Sequence, residues 1–275
     1  MDKMKQVFAV YFSPTLTTKT IVEAVAATAA SESGLPVTAI DLTTPAGRNR
    51  QLEFSPSDIV VFGVPVYIGR VPNLIAPYFK TIKGGGAYVA AIAVYGNRAY
   101  DEALAELIDI LEEDGFHPAA AAAFIGEHSF STVLGGGRPD SKDLEAAAEF
   151  GRKFAGIVSG TIHGNGLENF PGRRNNRNYY SATDGKGKKI DIRKVKPVTD
   201  KELCDNCGYC ATICSMGAID PSDCSLVPGI CIKCSACVKR CPKHAKSFAD
   251  PDFLGHLKLL EEKFTDPRRE PEIYF

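Results

Sequence analysis

The chain has 275 residues, of which 44% are hydrophobic and 24% charged, and its formal net charge at pH 7 is −1. This length predicts two domains, and this composition predicts a real hydrophobic core. The near-zero charge gives no electrostatic argument for nucleic-acid binding, and no apolar run reaches the roughly 18 residues that a membrane span needs. All nine cysteines lie at or beyond position 204. Because no secretion signal precedes them, we expect reduced thiols in a cytoplasmic protein rather than disulfides.

Residues 1–160 alternate strand and helix patterns, which is typical of a doubly wound parallel sheet. Gly34 and Gly115 mark the ends of two helices. In such sheets, ligands bind at the carboxyl ends of the strands, near the point where the strand order reverses. The predicted strands, apolar almost throughout as strands covered on both faces are, span 6–12, 36–42, 58–64, 87–95 and 118–125, and the predicted helices span 18–33, 72–80, 98–114 and 140–159.

Residues 161–197 break this pattern and are rich in Gly, Asn and Arg. Between positions 173 and 196 they hold nine Lys and Arg against two Asp. Two interpretations stay open: a solvated linker, or a basic arm that docks on an anionic partner or on the edge of a cofactor. Tyr179 and Tyr180 within this segment indicate some packing.

Residues 198–250 contain a Cys-rich repeat with a period of 27 residues. Two copies of C-x2-C-x2-C-x3-C are present, which is the ligand run of bacterial ferredoxins with two 4Fe–4S clusters. Structural zinc sites, with paired C-x2-C separated by a dozen or more residues, fit this spacing poorly. In ferredoxins the fourth Cys of each run serves the other cluster. The predicted ligand sets are therefore Cys204, Cys207, Cys210 and Cys241 for one cluster, and Cys231, Cys234, Cys237 and Cys214 for the other.

The repeat has one departure from the ferredoxin pattern and one additional thiol. Ser215 stands where a Pro commonly follows the fourth Cys, whereas Pro242 keeps this Pro in the second run. We expect this to change only the local backbone. Cys224 lies outside both runs, and we predict that it is a packed thiol rather than a ligand. Residues 251–275 then begin with an amphipathic helix at 251–264, predicted to pack on one of the two domains, with binding to a partner as the alternative.

A hydroxyl-rich loop follows the first strand and runs into a helix. Ser13, Thr15, Thr17 and Thr18 lie where the N–H groups of a helix N-terminus are unpaired, an arrangement that binds anions, although Ser and Thr also cap helices routinely. The loop resembles the phosphate loop of the flavodoxins, roughly S/T-x-T-G-x-T, except that Leu16 stands where that family usually has Gly.

Two further loops resemble those that flank the flavin ring in flavodoxins: VFGVPVYIGRVP at 61–72 and VYGNRAYDEAL at 94–104. Because the chain has no Trp, any aromatic stacking on the flavin must come from Tyr67 or Tyr95. Asn97 is a candidate donor to the flavin, and Arg98 a candidate partner for anionic reduced flavin. The resemblance implies that FMN phosphate is held by Ser13, Thr15, Leu16, Thr17 and Thr18, and that its ring is lined by Pro65, Val66, Tyr67, Ile68, Gly69, Tyr95, Gly96, Asn97 and Arg98.

As a whole, the chain resembles the flavodoxin–ferredoxin fusion proteins of anaerobic prokaryotes. The resemblance implies an α/β domain at 1–160, with a five-stranded parallel sheet of order 2-1-3-4-5, and a small α+β ferredoxin domain at 198–250. It implies electron transport between two 4Fe–4S clusters and FMN. The partners would then be redox proteins that act as donor and acceptor, and a homodimer is one assembly that we consider.

Two other functions stay open. One is a flavin-dependent reductase of a small organic substrate, for which His128 and Tyr100 are the candidate acids. The other is an iron–sulfur scaffold or sensor without flavin. Glu127 and His128, after the fifth strand, are predicted to form a turn rather than a proton relay. No G-x-G-x-x-G motif follows a predicted strand, so direct use of NAD(P)H is not predicted.

Overall fold

The computed structural model describes residues 4–175, 177–184 and 186–275. Its parallel strands have the predicted order, 2-1-3-4-5 when numbered along the chain. Both ends of each strand lie within one residue of the predicted ends. The central strands are almost wholly buried because helices cover both faces of the sheet. The five parallel strands are β1 (Gln6–Tyr11), β2 (Val37–Asp41), β3 (Asp58–Pro65), β4 (Tyr88–Tyr95) and β5 (His117–Ile125).

Helices α1 (Thr17–Ser33) and α4 (Ser141–Val158) pack on one face of the sheet, and α2 (Ala76–Phe79) and α3 (Ala103–Glu113) pack on the other. Two of these helices are shorter than predicted. The helix predicted at 72–80 is reduced to α2, and the one predicted at 98–114 begins only at Ala103. Asp101 explains the second difference, because its φ of +45° is incompatible with a right-handed helix.

The Cys-rich residues form a small unit beside the carboxyl ends of the parallel strands. In it, β6 (Val198–Thr199) pairs antiparallel with β7 (Lys246–Ser247). Two single-turn helices, α5 (Tyr209–Thr212) and α6 (Ala236–Lys239), lie 27 positions apart, the same period as the cysteines. The sequence repeat is therefore also a structural repeat.

The C-terminal residues form a helix with the predicted bounds, α7 (Pro251–Phe264), whose first turn is capped by Asp250 accepting the N–H of Phe253 at 2.9 Å. The tail then forms a strand that was not predicted, β8 (Glu272–Tyr274), which pairs antiparallel with β5. The sheet thus has six strands rather than five, because this short strand contributes too few residues for an alternating pattern to show. Within the described residues, none of the helices combines the length and apolar character that crossing a bilayer requires.

The basic segment at 161–197 lies against the α/β domain. Arg173 donates to Asp109 at 2.7 Å and to Glu112 at 2.5 Å, both on α3, and Arg177 also pairs with Asp109. Burial raises the pKa of Asp109, but hydrogen bonds from Arg173 and its neighbours outweigh it, so the net shift is downward. The interpretation as a solvated linker is wrong for this part of the segment, since its anionic partner is α3 of the same chain. Positions 1–3, 176 and 185, the last two within the predicted linker, lie outside the described residues.

Candidate cofactor sites

A cavity of about 320 Å³ lies between the α/β domain and the Cys-rich unit. Its far wall is the loop at 230–233, which includes Cys231. The two loops that resemble flavin loops therefore face the same space as one of the predicted cluster ligands. We call this space the ring cavity. The predicted flavin-loop residues that line it are Val66, Tyr67, Ile68, Gly69, Tyr95, Gly96 and Arg98.

A smaller pocket of about 40 Å³ continues the ring cavity toward the N-terminus of α1. Thr15, Thr17 and Pro65 line it, and it shares Tyr67 and Tyr95 with the ring cavity. The first amides of a helix have no acceptor within the helix, so this end of the site offers N–H groups and hydroxyls to an anion. A small pocket beside the first amides of α1 thus adjoins the larger ring cavity.

The remaining residues of the phosphate loop set its shape. The Oγ of Ser13 accepts the N–H of Lys19 at 2.8 Å, and Thr18 is buried. Leu16 has a φ of +73°, the left-handed backbone that Gly adopts without strain. The loop therefore keeps a glycine-type conformation despite the leucine, at a cost of about 1–2 kcal/mol.

Asn97 departs from its predicted role at the flavin. Its Nδ2 donates to the carbonyl oxygens of Phe264 at 2.6 Å and Pro267 at 3.2 Å, and its Oδ1 accepts the N–H of Arg269 at 3.0 Å. The buried amide is thus occupied by the C-terminal segment. Asn97 anchors this segment and is not a donor to a ligand in the ring cavity.

Arg98 lies in the wall of the ring cavity, as predicted, with its guanidinium 4.0 Å from the ring centroid of Tyr180 and paired with Asp101. Tyr100, one of the candidate acids, lies elsewhere. Its hydroxyl donates to Glu272 of β8 at 2.7 Å. Tyr100 therefore contributes to the attachment of the tail, and His128 is the candidate acid that reaches the cavity.

His128 lines both the ring cavity and the smaller pocket. Its ring lies so close to Gly96 that a Cβ there would come within 2.4 Å of the His128 Cδ2, so a side chain would not fit. Burial, followed by the charges of Lys239 and Arg98, lowers the pKa of His128 to about 3, which leaves the ring neutral at pH 7. Nδ1 accepts the N–H of Phe130 at 3.2 Å, so the proton lies on Nε2.

The basic segment and α7 close another side of the ring cavity. The N–H of Tyr180 donates to the carbonyl of Ile68 at 2.9 Å. The Nδ1 of His256 lies 2.8 Å from the carbonyl oxygen of Thr183. Because both Tyr180 and His256 line the cavity, part of the basic arm reaches the candidate cofactor site.

The cysteines of the two runs surround two narrow pockets. Each pocket takes three thiols from one run and the fourth from the other, as the predicted ligand sets require. We call the pocket that shares Cys231 with the ring cavity the proximal pocket, and the other the distal pocket. The proximal pocket is lined by Cys214, Cys231, Cys234 and Cys237, and the distal pocket by Cys204, Cys207, Cys210 and Cys241 of the two runs, together with Cys224 from outside them.

Backbone amides point at the sulfur atoms of several of these cysteines. Such hydrogen bonds stabilise thiolates and are typical of iron–sulfur sites. Among the described residues, no three His, Cys, Asp or Glu side chains converge closely enough to hold a single metal ion. The amide donors are Ala218 to Cys214 at 3.2 Å, Lys233 to Cys231 at 3.4 Å, and Ala245 to Cys241 at 3.4 Å.

One orphaned hydroxyl tests whether the proximal pocket fits a cluster. The Oγ of Ser235 is buried and has no hydrogen-bond partner in the part of the chain that the structure describes. Leaving a buried hydroxyl unpaired costs roughly 1–3 kcal/mol. Ser235 lines the proximal pocket with the four thiols, so a cluster sulfur would supply the missing acceptor. The residues present therefore fit an iron–sulfur cluster.

Tyr67 lies between the ring cavity and the proximal pocket. Burial, and then the proximity of Cys234 and Cys231, raise the pKa of Tyr67 well above its ordinary value. The ring of Tyr67 meets Phe12 edge-on, with centroids 6.4 Å apart. Tyr67 and the loop at 230–233 thus lie where the flavin loops approach the proximal thiols.

Residues that join the two domains were missed in the sequence. Lys239, in the second Cys run, donates to Glu127 Oε1 at 2.5 Å and to the carbonyl oxygens of His128 at 2.6 Å and Ser131 at 2.8 Å. These three acceptors lie in the loop after β5. Lys239 therefore fixes the wall of the ring cavity that carries His128.

Two arginines reinforce the contact between the domains. Arg240 donates to the carbonyl of Pro14, in the phosphate loop, at 3.2 Å. Arg48 donates to the carbonyl of Ser215, in the first Cys run, at 2.6 Å. A basic residue beside a ligand cysteine was visible in the sequence, but a surface Lys or Arg gives the same pattern when it has no partner.

Known proteins resemble the two parts of the chain separately. The 4Fe-4S binding domain family matches residues 196–219. Together with the strand order of the sheet, this match decides the architecture. The chain joins a flavodoxin-like α/β domain to a 4Fe–4S binding domain. Such a domain supports a role in electron transfer.

Several solved structures of flavodoxins align with the flavodoxin-like domain. A flavodoxin from the domain Archaea is 18% identical, with a TM-score of 0.40, and the alignment covers 57% of this chain and 99% of that one. A Streptococcus pneumonia TIGR4 flavodoxin is 17% identical, with a TM-score of 0.38 and coverage of 57% and 99%. A Fusobacterium nucleatum flavodoxin variant bound to flavin mononucleotide is 14% identical, with a TM-score of 0.37 and coverage of 59% and 100%. No curated protein matches the chain.

Proposed function

We propose that the protein is an electron carrier that passes single electrons between two 4Fe–4S clusters and an FMN. The observation that supports this most directly is the ring cavity of about 320 Å³, in which Tyr67 and Tyr95 face the loop of Cys231. Clusters of this type exchange one electron at a time, and flavin exchanges one or two, so the pair converts between one- and two-electron chemistry.

In this proposal the proximal and distal pockets each hold one cluster. Cys207 of the distal pocket is exposed, so this pocket is the entry point for electrons from a redox partner protein. Cys231 lines both the proximal pocket and the ring cavity. The proximal cluster is therefore the neighbour of the flavin, and the two pockets form a path from the surface to the ring.

The flavodoxin-like domain holds the other cofactor. Thr15, Thr17 and the first amides of α1 bind the phosphate of FMN, and Tyr67 and Tyr95 line its ring. Tyr180 closes the ring cavity from the side of the basic segment. Enclosure by both domains limits water access to the ring, which sets the polarity around it and hence its potential.

The first test is the composition of the protein purified without oxygen. We expect about eight iron and about eight sulfide per chain, together with about one FMN, and an absorption spectrum with flavin bands above the broad cluster absorption. Cluster absorption without flavin would support the scaffold or sensor instead. A protein without inorganic sulfide would overturn the cluster assignment.

The second test concerns the phosphate site. Thr17→Asp places a negative charge in the small pocket, and we expect it to weaken FMN binding by roughly tenfold or more, since like charges in a partly buried site repel strongly. Thr20→Asp, one turn further along α1 and exposed, is the matched control and is expected to leave the affinity unchanged. Equal affinities of the two variants in a fluorescence titration with FMN would contradict this site.

One observation favours a second function, a flavin-dependent reductase. Neutral His128, with its proton on Nε2, lines the ring cavity and is able to donate a hydrogen bond to a bound substrate. A reductase would turn over quinones, nitroarenes or enones selectively and lose this turnover in His128→Gln. An electron carrier would reduce them slowly and without selectivity, to the same extent in the variant.

A further inference from the structure

The two Cys runs differ at positions that the repeat makes equivalent. Adding the 27-residue period to Gly208 gives Ser235, and adding it to Ser215 gives Pro242. Both Ser215 and Ser235 follow cysteines of the proximal pocket, whereas Gly208 and Pro242 follow cysteines of the distal pocket. The proximal pocket therefore has a hydroxyl at each position where the distal pocket has none.

Ser215 points its hydroxyl at a predicted cluster ligand. Its side chain is fully buried, with 0% exposure, and its Oγ donates to the Sγ of Cys234 at 3.7 Å. Arg48 holds the carbonyl of Ser215 at 2.6 Å and also donates to the carbonyl of Thr43 at 3.0 Å. The flavodoxin-like domain thus fixes the serine in place.

Ser235 is unfavourable in two ways unless a cluster is present. Its φ of +60° is a left-handed backbone, which costs about 1–2 kcal/mol for a residue other than Gly. Its counterpart Gly208, at +78°, avoids this cost. Ser235 is also 3% exposed with an unpaired Oγ among the described residues. Both costs have a reason if the hydroxyl donates to a cluster sulfur.

We propose that Ser215 and Ser235 raise the reduction potential of the proximal cluster through hydrogen bonds to its sulfur atoms. Reduction adds negative charge to the cluster, and donors to sulfur stabilise that charge. The inference rests on the proposed function, since it requires a cluster in each pocket. Its consequence is that an electron entering at the distal pocket is favoured on the cluster beside the ring cavity.

The test is a potentiometric titration of the full-length protein without oxygen, followed by electron paramagnetic resonance of the reduced clusters. We expect Ser215→Ala and Ser235→Ala each to move one of the two cluster potentials to a more negative value and to leave the other unchanged. Alanine keeps the backbone cost at position 235 and removes only the hydroxyl. In the double variant, the shift should approach the sum of the two.

The repeat supplies a reciprocal experiment that identifies which potential belongs to which pocket. A Cβ added at Gly208 meets no atom within 4 Å, so a serine there has room beside the distal thiols, at a backbone cost like that of Ser235 because φ is +78°. We expect Gly208→Ser and Pro242→Ser to move the other potential to a less negative value. The shift should be smaller than that of the proximal variants, because exposed Cys207 is already hydrated.

Iron and sulfide content, measured for every variant, separates a change of potential from a loss of cluster. Two potentials that stay in place in Ser215→Ala and Ser235→Ala, with full iron content, would overturn this inference and leave the proposed function intact. A single cluster potential with about eight iron per chain would also overturn this inference alone, whereas about four iron per chain would overturn the assignment of two clusters, and this inference with it.

Discussion

The two domains of this chain are held together by different forces. The flavodoxin-like domain has an extensive set of buried apolar side chains on each face of its sheet. The Cys-rich unit has one small cluster of its own, and further residues of the unit are buried against the flavodoxin-like domain. The cluster consists of Cys210, Ile219, Cys224 and Cys237, and the residues buried against the other domain are Ile213, Ile232, Cys234 and Ala236. So few apolar residues cannot stabilise a domain, whereas links through metal ligands do. The comparison teaches that the first domain has enough buried apolar surface of its own, whereas the second needs further links, which the proposed clusters would supply.

Removal of iron is expected to produce the largest difference in stability between the two domains. With a chelator under anaerobic conditions, we expect residues 198–250 to lose nearly all protection of their amides, because the cluster links are gone. Strands β1, β3 and β4 should stay protected, since most of the apolar side chains buried on the two faces of the sheet belong to residues outside the Cys-rich unit. Hydrogen exchange read by mass spectrometry on the full chain measures both regions at once. Equal loss in both would show that the domains are one cooperative unit.

Two cysteine variants separate metal ligation from thiol packing. Cys241→Ser removes a predicted ligand, and we expect loss of about half of the iron, that is, one of two clusters. Cys224→Ser is the matched control, because Cys224 lines the distal pocket and is 1% exposed but lies outside both runs. Its iron content is expected to stay complete. Loss of iron in Cys224→Ser alone would exchange the roles of these two thiols.

Lys239→Met tests how strongly the contact between the two domains couples their unfolding. It leaves Glu127 and the carbonyl oxygens of His128 and Ser131 without their donor, and we expect a loss of about 2–3 kcal/mol in the free energy of unfolding. The loss should appear as the separation of one urea transition into two, followed by fluorescence and by cluster absorption. If fluorescence and cluster absorption change at different urea concentrations in the variant, the two domains unfold independently.

Lys258→Met is the control for this variant. Lys258 is also a lysine in a salt bridge, with Glu262 at 3.8 Å, but its side chain is 78% exposed, compared with 15% for Lys239. Exposed pairs contribute about 0–1 kcal/mol, so a small effect is expected. Effects of equal size would mean that burial of Lys239 has no energetic importance.

The sequence was sufficient to predict the parts of the fold whose cause is local or periodic. All five parallel strands and α7 follow from apolar patterns. The strand order followed from the resemblance to flavodoxins. Strand β8 and the reduction of the helix at 72–80 to the single turn of α2 were not predictable in this way. Strand β8 exists because an edge of β5 is available to pair with it, which no local pattern records.

The candidate site divides in the same manner. The cluster ligands were predicted from the spacing of the cysteines and the flavin loops from their resemblance to flavodoxins, and both stay predictions. The predicted role of Asn97 as a flavin donor was wrong. Its hydrogen-bond partners, Phe264 and Pro267, lie about 170 positions away in the chain, so no local pattern indicated them. The contacts of Lys239 and the unpaired hydroxyl of Ser235 were visible only in the structure. Contacts between distant segments are thus what the sequence lacks.

The smallest predicted effect concerns Asp114, the residue that follows α3. Burial, and then Glu113, raise the pKa of Asp114 to about 7, and its Oδ2 is buried without a hydrogen-bond partner among the described residues. The pKa in the unfolded chain is about 3.9. Because the folded value is higher, ionisation of Asp114 destabilises the fold increasingly from about pH 4 to about pH 7, and fully above it.

Asp114→Asn removes this charge and should therefore stabilise the flavodoxin-like domain at pH 8. We expect a gain of about 1 kcal/mol in the free energy of unfolding, reduced from the full shift because the carboxyl is partly solvated. At pH 5.5 the gain should be about half as large, since roughly half of the pH interval between the two pKa values has been crossed. Urea unfolding at both pH values measures this. Glu145→Gln, which removes an exposed carboxylate from α4, is the control, and we expect a smaller gain at pH 8 than for Asp114→Asn. A stability loss for Asp114→Asn at pH 8 would mean that the ionised carboxylate has a stabilising partner.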